Sequence, residues 1–320
     1  MATTREDSAG AALVVEAGEA GLRLDAFLAR RKLAASAAEA RRAVAAGVVR
    51  VNGRRAKKGL HLEPGDQVDV GEGPALSHIL VPTPELELGV LYQDGDIIAV
   101  DKPAGVPSHP LRAGDTATVA SALVARFPEC ATASPDAREG GLGHRLDVAT
   151  SGVLLAARRR EAWHRLREAL SAPLCEKLYL AETRGCFPTA DGVPGEFVLP
   201  GPRPGSFVVT APVGRRGRRG SRVRLGSGRA PLPARTEITL LEPRASAALV
   251  EARLQRGRAH QVRAHLAFLG IPVVGDPIYG EPAADNVLRL HAWAVSLVHP
   301  ITARPLRIEA PLPAWARRQA

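Results

Sequence analysis

The length, composition and charge of the chain limit the class of protein that it can be. Its 320 residues, 45% of them hydrophobic, suffice for two domains with buried cores and exclude a disordered or fibrous protein. No apolar run approaches the ~18 residues that span a bilayer, so we expect a cytoplasmic protein without membrane contact. Three cysteines without a CxxC pair indicate neither a disulfide framework nor a zinc site. The net charge of +10 favours a polyanionic partner, because basic side chains near phosphates release counterions.

Changes in sequence pattern divide the chain into four parts. Residues 1 to 20 show little apolar periodicity, which predicts a solvated tail. Residues 21 to 72 carry helix and strand patterns and predict a small α/β domain. Residues 73 to 88 contain three prolines and indicate a linker. In residues 89 to 320, mixed helix and strand patterns favour a larger α+β domain.

The small domain is basic and has four predicted elements. Residues 22 to 28 supply one helix face, and residues 39 to 46 suit a second helix with Ser36 as its N-cap. Residues 48 to 53 alternate between apolar and polar and end in an Asn-Gly turn, and residues 67 to 70 predict a further strand. Eleven Lys and Arg against six Asp and Glu make the domain a candidate for nucleic-acid binding.

This arrangement resembles the S-four-type RNA-binding domain, named for a small-subunit ribosomal protein. Three stretches carry the resemblance, which are Arg23-Leu24-Asp25, residues 47 to 53, and Pro64-Gly65-Asp66. The family usually opens its second helix with a serine followed by an arginine, whereas Ala37 follows the serine here. Arg41 and Arg42 are our candidates to replace that RNA contact. From charge alone, a small basic domain with a solvated face explains the pattern equally well.

The larger domain begins with an alternation of strands and helices. Residues 96 to 100 predict a strand, and residues 101 to 105 predict the turn that leaves it. Residues 153 to 157 read as a short buried strand, residues 160 to 170 as a helix and residues 177 to 183 as another strand.

Asp147 precedes the buried strand and is our candidate for the catalytic residue. Glycines at positions 141, 143 and 152 allow backbone conformations that other residues resist. A carboxylate on a loop that a rigid strand fixes is well placed for catalysis. Taken alone, the His-Arg-Leu-Asp string at 144 to 147 is also explained by a structural Arg-Asp pair.

A run of eight arginines without an acid lies between residues 214 and 235. Glycines separate the arginines, but the Gly-Lys-Ser/Thr ending of a nucleotide-binding loop is missing. We predict a basic loop that binds RNA backbone through four arginines, which are Arg215, Arg216, Arg218 and Arg219. A merely solvated loop is the alternative.

The last strong pattern is a predicted helix between residues 257 and 270. Val262, Leu266 and Leu269 have i, i+4, i+7 spacing, and Gly270 suits the C-terminal stop. Arg263 lies off that buried stripe.

Together these segments resemble the RluA family of pseudouridine synthases. The resemblance covers roughly residues 87 to 313 and rests on motifs in a characteristic order, at residues 101 to 110, 144 to 156, 176 to 181, 257 to 265, 270 to 280, 290 to 293 and 310 to 313. It implies a mixed, mainly antiparallel sheet and a cofactor-free isomerisation of uridine to pseudouridine in structured RNA. The implied partner is ribosomal RNA or a pre-ribosomal particle, bound by a monomer without a membrane or a metal ion.

The resemblance also implies roles for individual residues. Asp147 matches the catalytic aspartate, which attacks the sugar carbon or the uracil ring in its ionised form. Arg263 matches the arginine that holds this carboxylate by charge-assisted hydrogen bonds. Tyr179 matches a tyrosine that stacks on the uracil and could assist proton transfer from carbon 5. Arg145 matches the arginine that helps to hold the target nucleotide out of the RNA stack.

Four further residues of these motifs are expected to contact the substrate, and they are His144, Lys177, Arg258 and Gln261. For strand 177 to 183, the alternation places Lys177 and Tyr179 on one face, with the leucines on the core side.

Three alternatives compete with this interpretation. A glycosidase normally needs a second carboxylate as general acid, and Asp276 in its Gly-Asp-Pro setting looks like a turn. Metal catalysis is disfavoured because His260 and His265 are five residues apart, which does not align them on one helix face. A non-catalytic RNA-binding factor for ribosome assembly is the remaining alternative.

Overall fold

The chain folds as two units. The computed structural model describes residues 13–31, 33–34, 37–71, 80–110, 115–189, 192–193, 195–215, 223–225 and 229–317. Described residues up to 71 belong to the N-terminal unit, and those from 80 onward belong to the C-terminal unit. Within the described residues, no helix is both long enough and apolar enough to cross a membrane.

The N-terminal unit packs two helices against a small antiparallel sheet. In chain order its elements are β1 (Leu13–Val14), α1 (Leu24–Arg30), α2 (Ala37–Ala46), β2 (Val49–Val51), β3 (Arg54–Arg55) and β4 (Gln67–Val70). The strand order is β1-β4-β2-β3. Phe27, Leu24 and Leu62 are fully buried between helices and sheet. The helices and strands that the sequence predicts here are therefore present.

Residues 13 to 20 correct the prediction of a solvated tail. β1 pairs with β4, through Leu13 opposite Val68, and Val15 is only 2% exposed. Glu19 is buried and binds the guanidinium of Arg31 at 2.8 Å. A two-residue strand and a single ion pair leave no periodic pattern, so the sequence does not reveal them. Residues 1 to 12 and Ser36 lie outside the described residues.

The C-terminal unit is built on one large sheet with helices on both faces. Its strands are β5 (Gly89–Gln93), β6 (Ile97–Lys102), β7 (Ser151–Ala157), β8 (Glu176–Arg184), β9 (Val198–Pro200), β10 (Ser206–Val209), β14 (Thr236–Arg244), β15 (Ala247–Leu254), β16 (Leu290–Val298) and β17 (Pro305–Glu309). The order is β5-β6-β7-β16-β8-β15-β14-β10-β9, with β17 beside β16. Only the β7–β16 pair is parallel among these pairings. The mixed, mainly antiparallel sheet is as expected.

The remaining elements attach to this sheet. They are α3 (Val119–Arg126), α4 (Arg160–Ala169), α5 (Gln261–Phe268) and a separate three-stranded sheet of β11 (Val213–Arg215), β12 (Val223–Leu225) and β13 (Arg229–Leu232). α3 and α5 contribute to the hydrophobic clusters that contact Tyr179. α4 contributes to a different cluster, with Leu166 packed against alternate residues of β7. β7 is thus buried on both faces, which explains its continuous apolar sequence.

Residues 80 to 88 correct the predicted linker. Leu80 and Leu88 are 4% and 9% exposed and pack against α3 and β6. This segment is part of the C-terminal unit, and its prolines mark an irregular path over the core. Residues 72 to 79 lie outside the described residues.

Gly152 is the position where the parallel pairing of β7 with β16 requires glycine. Its φ is +111°, and a Cβ there would lie 2.2 Å from the backbone carbonyl oxygen of Ala292. Both the backbone conformation and the close approach exclude a larger side chain. Gly152 therefore sets the spacing of the two central strands at the point where the Asp147 loop enters β7.

Gly152→Ala should lower the free energy of unfolding by at least about 2 kcal/mol, because it adds both backbone strain and a backbone clash. Urea unfolding of the full chain measures this change. Gly95→Ala is the matched control, since Gly95 has no atom within 4 Å of an added Cβ. Equal midpoints for the two variants would contradict this account of the strand pair.

Candidate active site

The Asp147 loop is fixed by contacts that come from distant parts of the chain. The hydroxyl of Ser108 donates to the carbonyl of Leu146 at 3.0 Å and accepts from its N–H at 3.1 Å. The ammonium of Lys102 donates to the carbonyl of Val148 at 2.9 Å. The two residues that flank Asp147 are thus held by side chains, and the carboxylate is carried on a rigid loop.

Arg263 binds the Asp147 carboxylate, as the sequence predicts. Its Nη1 donates to Oδ2 of Asp147 at 3.0 Å. The Arg263 side chain is 6% exposed, whereas that of Asp147 is 27% exposed. The two residues are 116 positions apart in the chain, and the fold brings a buried cation against a partly open carboxylate.

Asp276 holds Arg263 in this position. Nε and Nη2 of Arg263 donate to the two carboxylate oxygens of Asp276, each at 2.7 Å. Asp276 also accepts the backbone N–H groups of Ile278 and Tyr279. The Gly-Asp-Pro segment is therefore a turn, as interpreted from the sequence. Its carboxylate has a role that sequence reasoning missed, because nothing in the local pattern indicates a partner on α5.

The charges of this cluster stabilise each other despite burial. Burial disfavours the ionised form of Asp276, but Arg263 and the backbone donors offset this and hold its pKa below the usual value. Burial likewise opposes the charge of Arg263, but Asp276, followed by Asp147, raises its pKa. Both partners are ionised at neutral pH. Asp276 therefore cannot serve as a general acid, which removes the second carboxylate that a glycosidase would need.

Tyr179 lies on β8 and is half-buried between two hydrophobic clusters. Burial, followed by the negative charge of Asp147, raises the pKa of its hydroxyl well above the usual value. The phenol thus remains protonated near neutral pH. Leu178 and Leu180 of β8 are buried as predicted, but the predicted open face is wrong, since Lys177 and Ala181 on that face are buried as well.

Lys177 corrects the prediction that it binds substrate. It is 7% exposed, and its ammonium donates to the carbonyl oxygens of Leu170 at 2.7 Å and Gln255 at 2.8 Å. Burial lowers its pKa. The side chain ties the end of α4 to the segment before α5, so its role is structural.

Gln261 and His144 need similar corrections. The amide of Gln261 is buried and donates to Arg235 and Thr236, while its oxygen accepts the backbone N–H of Arg258 at 3.0 Å. Nε2 of His144 accepts the backbone N–H of Leu155 at 3.1 Å. Burial, with the charges of Lys177 and Arg167, lowers the pKa of His144 to about 3. Both side chains support backbone segments and do not contact substrate through these atoms.

Arg145 and Arg258 differ in exposure. Arg145 is exposed, two residues before Asp147. Arg258 is half-buried, and its Nε has no hydrogen-bond partner among the described residues. Their assignment to substrate binding stays a prediction.

Lys102 and His260 are site residues that sequence reasoning missed. Lys102 is fully buried; burial lowers its pKa to about 8, and the nearby charge of Asp147 opposes this shift. Nε2 of His260 lies 3.8 Å from Oδ2 of Asp147. Both belong to motifs that carry the family resemblance, at residues 101 to 110 and 257 to 265, so their position within those motifs was the available signal.

Of the six arginines predicted to bind RNA, the structure describes the side chain of one. Arg41, on α2, is about half exposed and pairs with Asp25 at 2.9 Å. The side chains of Arg42 and Arg215, and the residues Arg216, Arg218 and Arg219, lie outside the described residues. RNA binding by all of these arginines stays a prediction.

Comparison with known proteins identifies two domain families in the chain. Residues 96–268 match the family model described as RNA pseudouridylate synthase, and residues 22–68 match the S4 domain. Ribosomal large subunit pseudouridine synthase C of Escherichia coli is 32% identical, over 96% of this chain and 94% of that protein. An uncharacterized RNA pseudouridine synthase of Mycobacterium bovis is 35% identical, over 93% of this chain and 92% of that protein.

Two solved human structures share the fold over about seven tenths of the chain. Human RNA pseudouridylate synthase domain containing 4 has a TM-score of 0.52 and 24% identity, covering 71% of this chain and 90% of that one. Human RNA pseudouridylate synthase domain containing 1 has a TM-score of 0.51 and 24% identity, covering 72% and 86%. Fold and sequence thus define this chain as an enzyme of the isomerase class with an S4 RNA-binding domain. The chain belongs to the RluA family of RNA pseudouridine synthases.

Asp276→Asn should lower the free energy of unfolding by about 3 to 5 kcal/mol, because it removes the fully buried one of the two carboxylates that balance the charge of Arg263. It should also lower pseudouridine formation about 100-fold, since a small displacement of Arg263 moves Asp147 from its reactive geometry. Chemical denaturation and a pseudouridine assay on the same preparation measure the two effects.

Glu281→Gln is the control for this variant. Glu281 is 76% exposed and pairs with Arg184 at the surface, so its loss should change stability by about 0.5 kcal/mol or less. Full activity of Asp276→Asn under conditions where it is folded would show that Asp276 does not position the site.

Proposed function

We propose that this protein isomerises uridines of large-subunit ribosomal RNA to pseudouridine, with Asp147 as the nucleophile. The observation that carries the proposal is a partly open carboxylate whose Oδ2 is held by Arg263 at 3.0 Å. The RNA assignment is supported by the Escherichia coli relative, whose name is ribosomal large subunit pseudouridine synthase C. The protein would act where this RNA is made and assembled, in the cytoplasm.

Asp147 can act at either of two carbons of the nucleotide. Attack on the sugar carbon releases the uracil as an anion, and attack on the ring loosens the same glycosidic bond. In both cases the base turns, its carbon 5 bonds to the sugar carbon, and Asp147 leaves unchanged. Arg263 orients the carboxylate and stabilises the charge that returns to it when the product forms.

Tyr179, Arg145 and Arg258 would position the nucleotide. The half-buried ring of Tyr179 offers a stacking surface beside Asp147. The exposed guanidinium of Arg145 would replace the contacts that the target uridine loses when it leaves the stack. The half-buried side chain of Arg258, in the segment before α5, would contact a phosphate or ribose oxygen through its guanidinium.

The alternative from another class is an RNA-binding assembly factor that uses the fold without turnover. The contacts of Arg263 disfavour this alternative. Asp276 fixes the guanidinium, and the guanidinium in turn holds the partly open carboxylate of Asp147. Such an arrangement serves no purpose in binding RNA phosphates. RNA binding alone would be better served without a carboxylate in the site.

Asp147→Ala should abolish pseudouridine formation, with a fall of at least about 1,000-fold, while RNA affinity is retained. Pseudouridine is mapped in total RNA from cells that lack the gene and carry either the wild-type or the variant copy. The same map identifies which RNA and which uridines are modified.

Asp285→Ala is the control for Asp147→Ala, since Asp285 is a half-exposed aspartate near Arg289 at the surface. It should restore the wild-type map. An unchanged pseudouridine level in cells with Asp147→Ala would sink the catalytic assignment, and a lost modification outside large-subunit RNA would overturn only the substrate.

Replacing Arg216, Arg218 and Arg219 by glutamine should flatten the dependence of RNA affinity on salt. Each arginine–phosphate pair that the substitutions remove reduces the slope of log affinity against log salt by about 0.7 to 0.9. Titration of the protein with RNA between low and moderate salt measures the slope.

The matched control removes three arginines that are already paired with acids, which are Arg159, Arg165 and Arg307. Their loss changes net charge equally but should leave the slope nearer to that of the wild type. The same slope for both triple variants would mean that the arginine run is a solvated surface.

A further inference from the structure

His260 has an unusual backbone conformation immediately before α5. Its φ is +57° and its ψ is 12°, in the left-handed region that residues with a Cβ rarely adopt. The turn is closed by Gln261, whose side-chain oxygen accepts the N–H of Arg258, and by the carbonyl of His260, which accepts the N–H of Ala264. Strain of this kind is kept where the surroundings fix it, and it is concentrated at functional sites.

The imidazole is held between Tyr279 and the nucleophile. Nδ1 lies 3.3 Å from the hydroxyl of Tyr279, and the two rings meet edge to face at 5.8 Å. Nε2 lies 3.8 Å from Oδ2 of Asp147, longer than a hydrogen bond. The imidazole therefore stands beside the reacting carboxylate, while Arg263 is the residue that binds it.

Tyr279 is itself fixed by the same cluster that fixes Arg263. It is 8% exposed, its backbone N–H donates to Asp276, and its ring lies 5.5 Å from the guanidinium of Arg263. One buried carboxylate thus orients both the arginine that holds Asp147 and the tyrosine that contacts His260. The positions of nucleophile and imidazole are linked.

The reaction needs a group that carries a proton away from carbon 5, and the family resemblance offers Tyr179 for that role. When carbon 5 bonds to the sugar, it still carries its hydrogen, and N1 of the ring has none. That proton must leave carbon 5 so that the C5=C6 double bond re-forms, and N1 must gain a proton. The isomerisation consumes and releases no proton overall, so one group can do both.

The other side chains around Asp147 are poorly suited to this transfer. Arg263 is charged and bound to two carboxylates. The ammonium of Lys102 is buried and donates to two backbone carbonyls. Burial and the charge of Asp147 disfavour the ionised form of Tyr179 that could accept a proton. An imidazole, by contrast, gains and loses protons near neutral pH.

We propose that His260 carries the proton from carbon 5 to N1 of the rearranged uracil, with Tyr279 as the residue that positions it. Nε2 accepts the proton from carbon 5, the electrons of that C–H bond form the C5=C6 bond, and the electrons of the N1=C6 bond move to N1. N1 then takes the proton from the imidazolium. The step rests on the proposed function. Among the described residues, Asp147 and Tyr279 lie against His260, and Arg263 and Asp276 lie behind these two.

His260→Gln tests the step, because glutamine keeps hydrogen-bonding capacity but cannot carry a proton. The probe is total RNA from cells that lack the gene, prepared with hydrogen or deuterium at carbon 5 of uridine. We expect kcat to fall about 100-fold with KM changed less than about threefold. Transfer from carbon 5 becomes slow, so deuterium should slow the variant at least about twofold more than it slows the wild type. In a plot of kcat against pH, the limb that reflects titration of the imidazole should be absent from this variant.

Two further variants separate proton transfer from structure. Tyr279→Phe removes only the hydroxyl and should lower kcat about 10-fold while the pH limb shifts but persists. His164→Gln, at an exposed position on α4, is the control and should behave as the wild type. Thermal melting and RNA affinity establish that each variant is folded.

The outcomes distinguish this step from the proposed function. A wild-type chain that forms no pseudouridine on this RNA would overturn the proposed function itself. With an active wild type, the proton-carrier role is overturned if folded His260→Gln keeps kcat within threefold. The proton-carrier role is also overturned if kcat of His260→Gln falls further but shows no isotope effect and an unchanged pH profile. That result would mean that His260 has a structural role.

Discussion

The guanidinium of Arg263 joins two carboxylates that lie in separate parts of the chain, and the site depends on this bridge. Asp276 is fully buried and takes two of the donors, while Asp147 is partly open and takes a third. A buried charge is tolerated only when its hydrogen bonds are satisfied in good geometry, which the bidentate pair and two backbone donors supply here. The bridge therefore fixes the orientation of the Asp147 carboxylate from the protein interior and leaves its outer side open.

Buried ammonium groups hold the segments around this bridge by donating to backbone carbonyls. Lys102 donates to Pro103 and Val148, next to Asp147. Lys177 donates to Leu170 at the end of α4 and to Gln255 in the segment before α5. Burial lowers the pKa of both lysines, and the charge of Asp147 opposes this shift at Lys102. Loops that carry catalytic residues are mobile by default, and such contacts restrict them without covering the site.

Sequence reasoning identified the residues whose chemistry is visible in their type and motif. Asp147 and Arg263 meet as predicted, and the main helices and strands agree within a few residues. The errors concern side chains whose partner is a backbone group. Lys177 and Gln261 look like substrate ligands in a motif, but their partners are carbonyls and N–H groups that only the fold brings near. The short strand at Leu13–Val14 was missed because two residues carry no periodicity.

The division of labour between the two carboxylates separates an isomerase from a hydrolase. A glycosidase needs a protonated acid beside the leaving group. Asp276 is kept ionised by Arg263, and its two oxygens are committed to donors, so it cannot protonate anything. A departing uracil needs no such acid, because its negative charge spreads over the ring and its two carbonyl oxygens. A single open carboxylate, with its partner buried to hold an arginine, therefore suits a reaction in which the base leaves as an anion, stays in the site and returns through a different atom.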